Sequence, residues 1–144
     1  MKIKVKRMGE DVQLPQYQHF GEDCGMDLKS RYKYTLKPGE YKLIKTGLKI
    51  AIPRGYGGFV YPRSGLALKE GITVLNADGV IDPGYRGELG VILINHSDKD
   101  FYINKGDRIA QLIIHKTFDI EWEEVDQLTD SNRSDGGFGH TGKQ

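Results

Sequence analysis

The chain has 144 residues, 38% of them hydrophobic and 28% charged, which suits one soluble domain able to bury a core without covalent staples. Its 21 Lys and Arg against 20 Asp and Glu leave a net charge of +1, so it lacks the basic excess of a general nucleic-acid binder. A single cysteine, Cys24, excludes an intrachain disulfide and points to an intracellular, cytoplasmic protein.

From the N-terminus, Ile3 and Val5 alternate with Lys2, Lys4 and Lys6, which predicts a half-buried strand and shows no apolar signal-peptide core. Lys37-Pro38-Gly39-Glu40 predicts a type II turn. Leu48, Ile50 and Ile52 share one face of a further strand. Residues 64–70 carry the only helical signal, with Ser64 as the expected N-cap and Gly71 as the stop.

Residues 90–94 and 109–114 are more continuously apolar, as expected of strands covered on both faces. A turn at Lys105-Gly106-Asp107 precedes the second. Ile120 and Trp122 alternate with Asp119, Glu121 and Glu123, which predicts one more strand. The longest apolar run is Val91-Ile-Leu-Ile94, too short to cross a membrane as a helix. The four histidines stand far apart, so a structural zinc site is not expected. The fold class expected is all-β, a sandwich or barrel of short strands with one short helix.

From Thr129 onward the composition changes, with Phe138 the one large apolar residue, and the stretch is expected to be a mobile glycine-rich arm (129–144) on a β domain (1–128). Gly137-Phe-Gly139-His-Thr-Gly142 spells a dinucleotide fingerprint and nearly a P-loop. Neither has the flanking strand and helix it requires, and Gln144 stands where a P-loop has Ser or Thr. The glycines still suit an anion-binding nest.

Five segments concentrate glycine and polar residues beyond the needs of packing. They are Cys24-Gly-Met-Asp-Leu28, Pro62-Arg-Ser-Gly-Leu-Ala67, Asn76-Ala-Asp-Gly-Val-Ile-Asp-Pro-Gly-Tyr-Arg-Gly87, Gly106-Asp-Arg-Ile-Ala-Gln111 and Arg133-Ser-Asp-Gly-Gly-Phe-Gly-His-Thr-Gly142. In order and spacing they resemble the five motifs of the trimeric dUTPase family. That resemblance implies a jelly-roll-like sandwich and hydrolysis of dUTP to dUMP and pyrophosphate.

The resemblance also implies roles for residues. Asp82 would deprotonate a water attacking the α-phosphorus, which needs a positioned base. Tyr85 would pack on the deoxyribose and exclude a 2′-hydroxyl. The stretch from Asn76 through Gly79, Val80 and Ile81 would form a hairpin slot for uracil, whose edge needs both donors and acceptors. Arg63, Ser64 and Gly65, at the helix start, suit a polyphosphate. Gln111 would touch the phosphates or the attacking water. Asp107 and Arg108 read as a turn and an ion pair. Asp27 would reach a magnesium ion through water, the metal being held mainly by the phosphates.

By the same resemblance Arg133 would supply charge, Phe138 would stack on uracil, and Gly137 and Gly139 would wrap the γ-phosphate as a lid. The arm would reach a neighbouring subunit's site in a homotrimer. Ser134 and His140 depart from the family's usual glycine and serine, and His140 would add pH dependence near neutrality. Two other readings share the scaffold. A dCTP deaminase needs a carboxylate where Ile92 falls, with Glu88 the nearest but out of register. A nucleotide-responsive regulatory protein would bind without turnover.

Overall fold

The computed structural model describes residues 1–131 and 134. Eleven strands and one helix are described, and most of the pairing is antiparallel between strands distant in sequence. One sheet runs β2 (Met26–Lys29), β11 (Arg108–Lys116), β6 (Tyr56–Tyr61), β8 (Gly79–Ile81). The other runs β4 (Tyr41–Lys45), β9 (Gly90–Asn95), β7 (Ile72–Val74). Two-stranded pieces, β1 (Lys4–Arg7) with β5 (Leu48–Ala51) and β3 (Tyr34–Leu36) with β10 (Phe101–Ile103), complete the described pairing.

The core lies between the sheets because alternate residues point inward. Leu28, Val60, Ile81 and Leu112 come from the first sheet, and Ile44, Ile72, Val74, Val91 and Leu93 from the second. Asn95 is fully buried, and its amide donates to Leu36 O at 3.0 Å and Lys99 O at 2.7 Å, which satisfies a polar group that burial would otherwise penalise.

Local signals hold where they are strongest. Gly39 has φ +72°, as a type II turn demands, and Gly106 at φ +88° turns the chain into β11. The helix α1 spans Ser64–Glu70, and Gly71, left-handed at φ 65°, closes it by donating to the carbonyls of Ala67 and Leu66. Its N-cap is Arg63 rather than Ser64, and no side chain caps the first turn. Ser64 is instead the first helical residue, because the extended conformation that marks a cap falls on Arg63 (ψ 125°).

Three expectations change. The strand at 4–7 forms, but all four residues are exposed rather than half-buried, since β1 pairs only with β5 among the described strands. Ile3 and Val5 instead join Leu14, Met26, Leu112 and Ile114 around an open apolar groove of about 560 Å³. Strands β9 and β11 bury one face, while Ile92 and Ile94 of β9 and Ile113 of β11, on the other, are half-covered. No strand is described at 118–128; Ile120 is 67% and Trp122 91% exposed, because the alternation finds no partner edge within one chain.

Candidate active site

Strand register assembles the first cluster. In β11, Gln111 pairs with Asp27 on one side and Tyr61 on the other, so the three side chains form a row across the outward face. Gly25 closes over this row: a Cβ there would stand 3.2 Å from Gln111 Cβ and 3.3 Å from Ile113 Cγ1. Beyond Tyr61 the chain leaves β6 into Pro62 and Arg63, and the Arg63 guanidinium reaches back across β11. Its Nη1 donates to Arg108 O at 3.0 Å, and its Nε lies 3.3 Å from Asp27 Oδ1.

Asp27 is only 4% exposed, and Arg108 Nη1 donates to its Oδ2 at 3.4 Å. Two guanidiniums thus balance one buried carboxylate, which is what keeps a charge tolerable there. Oδ1 is close enough to Arg63 for attraction but finds no donor in hydrogen-bonding line among the described residues. The ion pair with Arg108 is as expected from the sequence, and Asp107 Oδ2 accepts the Asn104 amide at 2.7 Å in the turn before it. Ser64 and Gly65 are exposed, and the uncapped first-turn amides of α1 open beside Arg63.

A second cluster follows β8. Val80, Ile81, Asp82, Tyr85, Leu89 and Gly90 line a recess of about 170 Å³. The Tyr85 amide donates to Asp82 O at 3.0 Å, which makes residues 82–85 a tight turn. The Asp82 side chain is exposed, with no ion pair or hydrogen bond among the described residues. Tyr85 Oη donates to Glu88 O at 2.9 Å. Asn76 lies against Gly79, where a Cβ would stand 3.4 Å from its Nδ2, and it does not line the recess. Among the described residues β7 pairs with β9 and β8 with β6, so residues 75–78 cross from one sheet to the other and do not join a paired β7–β8 hairpin.

Within one chain the two clusters stay apart. Ile81 sits opposite Gly58, and Gln111 opposite Tyr61, across two inter-strand steps. Strand rise and spacing put Asp82 about 15 Å from Gln111. Arg133, Gly137, Phe138, Gly139 and His140 lie outside the described residues. Ser134 is described; its amide donates to Ser131 O at 3.1 Å.

Sequence reasoning passed over Tyr61, Asp78 and His115. The Tyr61 hydroxyl and His115 Nε2 are 3.5 Å apart, and burial together with the Asp78 carboxylate raises the Tyr61 pKa above its ordinary value. The signal that could have found them is strand parity, since Tyr61 shares a face with Gln111.

For a metal, no cluster of three or more His, Cys, Asp or Glu is found among the described residues. Asp27 has one oxygen without a hydrogen-bond partner among the described residues, but Arg63 and Arg108 already face its carboxylate, so it offers a metal at most a contact through water. Among the described residues no helix is long and apolar enough to cross a membrane.

A family model described as dUTPase matches residues 10–142. The deoxyuridine 5′-triphosphate nucleotidohydrolase of Clostridium tetani (strain Massachusetts / E88) is 50% identical over 141 residues, covering 98% of this chain and 97% of the relative. That of Clostridioides difficile is 52% identical over 140 residues, covering 97% of each. Among solved structures, Staphylococcus bacteriophage 80alpha dUTPase with dUPNHPP superposes with a TM-score of 0.90 at 30% identity, covering 98% of both chains. A mutant dUTPase of phage phi11 of S. aureus, described with a structural Mg(II) ion, gives 0.80 at 29% identity, over 88% of this chain and 98% of that one.

Proposed function

Because the chain belongs to the dUTPase family and is a deoxyuridine 5′-triphosphate nucleotidohydrolase, we propose that it splits dUTP into dUMP and pyrophosphate in a site shared between copies of the chain. The observation that carries the shared site is the separation of Asp82 from Gln111 across the sheet. A base on one side and phosphate-binding groups on the other can meet on one substrate only if different copies supply them.

In this reading the nucleoside enters the recess beside Val80 and Ile81, with Tyr85 against the sugar. Backbone groups of the short strand Gly79–Ile81 offer uracil the donors and acceptors it needs, and Asn76 acts by packing on Gly79 rather than by lining the recess. The triphosphate extends toward Arg63, Ser64 and Gly65 of a neighbouring copy, where a guanidinium and free helical amides face it. Gln111 orients the attacking water or an α-phosphate oxygen.

Asp82 takes a proton from that water as its oxygen bonds to the α-phosphorus. The bond from the α-phosphorus to the bridging oxygen breaks, and pyrophosphate leaves with that oxygen. The exposed carboxylate then returns the proton to solvent. Asp27 would reach a magnesium ion through water, the ion being carried by the phosphates, and it would supply charge neutralisation at the triphosphate. The arm of residues 129–144, through Arg133, Gly137, Phe138 and Gly139, closes over substrate bound in a homotrimer.

Glu88 supports no deaminase chemistry, since its carboxylate is turned to the Gly47 amide at 2.9 Å. The test is product analysis with magnesium and dUTP, UTP, dTTP or dCTP. Pyrophosphate and dUMP from dUTP alone are expected. A uracil nucleotide released from dCTP, or equal turnover of all four, would contradict the reading.

A further inference from the structure

Tyr85 is held in place by two neighbours to which neither the sequence motifs nor the reaction gives a role. Its ring lies across Gly87, where an added Cβ would stand 2.5 Å from Cζ and 2.8 Å from Cε2, and closer still to the hydroxyl. Only a residue without a side chain leaves the ring that position. The hydroxyl, donating to Glu88 O, then ties the ring to the backbone at 88.

That backbone is itself pinned. The Glu88 side chain is 16% exposed; its Oε1 accepts the Gly47 amide at 2.9 Å, and its Oε2 lies 3.7 Å from Lys45 Nζ. The next residue continues the join. Leu89 O accepts from Thr46 Oγ1 at 2.7 Å and from the Thr46 amide at 3.2 Å, while the Leu89 amide donates to Leu48 O at 2.7 Å. Residues 88–89 are therefore clamped to the turn between β4 and β5, and that turn belongs to the core: Thr46 and Leu48 are both buried.

We propose that Glu88 and Gly87 are positioning residues that fix the Tyr85 ring and so set how strongly the enzyme rejects ribonucleotides. Glu88 holds the carbonyl from which the phenol hangs, and Gly87 leaves the ring its place. A steric gate discriminates only as well as its wall is held, because a ring free to swing aside admits the extra hydroxyl at small cost. The proposal rests on Tyr85 being the wall against the sugar.

The experiment compares kcat/KM for dUTP and UTP in the full-length protein and in Gly87→Ala, Glu88→Ala, Glu88→Gln and Tyr85→Ala, with thermal melts of each. The dUTP preference should fall about tenfold or more in Gly87→Ala, approaching Tyr85→Ala, and less in Glu88→Ala. The change should appear as a lowered KM for UTP more than as a lowered kcat for dUTP. Glu88→Gln keeps an oxygen for the Gly47 amide and should retain most of the preference. Should Glu88→Ala fail to fold, Gly87→Ala carries the test. Wild-type preference in Gly87→Ala, with preference lost in Tyr85→Ala, would overturn the proposal and leave the Tyr85 reading standing. Wild-type preference in Tyr85→Ala would overturn both.

Discussion

Asp27 and Asp82 are both aspartates of the proposed site, yet their surroundings are opposite. Asp27 is buried, pairs through its backbone with Gln111, and faces the guanidiniums of Arg63 and Arg108. Asp82 stands exposed on a turn, and its carboxylate meets no donor among the described residues. The first is a charge that holds two arginines in place, and in the proposed reading their remaining donors serve the phosphates. The second, in the proposed reading, keeps its lone pairs for a water. Stability and chemistry are in that reading divided between two carboxylates, and each can be broken separately.

The largest effect is expected at the exposed one. Asp82→Asn is nearly isosteric but a poor base, so kcat for dUTP should fall about 10³-fold. Its unfolding free energy should stay within about 0.5 kcal/mol of wild type, as expected of a surface change, which urea melts would report. A large loss of stability would show that Asp82 holds the turn rather than the water.

Asp27→Ala should reverse the balance. Removing the buried carboxylate leaves two guanidiniums unpaired, but both are partly exposed, so water recovers some of the loss. About 1–2 kcal/mol of stability should go, readable as a lower urea midpoint. Activity should fall with it, because Arg63 loses its anchor.

The smallest effect is a control far from either cluster. The Glu40 carboxyl is held below the usual glutamate range, first by the Lys37 amide donating to it at 2.8 Å and then by Lys42. A depressed folded pKa contributes stability that is fully present above the unfolded value and is lost as pH falls through the folded one. Glu40→Gln should therefore melt slightly below wild type at neutral pH, and the two should converge in acid. A gap that persists in acid would mean the charge is not the cause.

Local signals were legible and distant ones were not. The turn at Gly39, the helix at 64–70 and the buried face of Leu48, Ile50 and Ile52 follow from residues within a few positions of one another. The alternation of Ile120 and Trp122 misled because a strand needs an edge to pair with, and sequence periodicity says nothing of where that edge is. That β7 and β8 join different sheets instead of pairing with each other was not legible for a related reason, since sheet order is set by distant partners. The chemistry-bearing segments could be named from their motifs alone. That Asp27, Gln111 and Tyr61 stand in one row, and that Glu88 clamps the Tyr85 turn, depends on register that no short segment encodes.

The central claim is that the base and the phosphate-binding groups on one substrate come from different copies of the chain. Asp82→Asn and Arg63→Gln, each nearly inactive alone, can be denatured, mixed in equal amounts and renatured together. If sites are shared, random assortment should restore about a quarter of wild-type activity, since some sites draw an intact half from each parent. Activity no greater than the sum of the two variants would place the whole site within one chain and contradict the account.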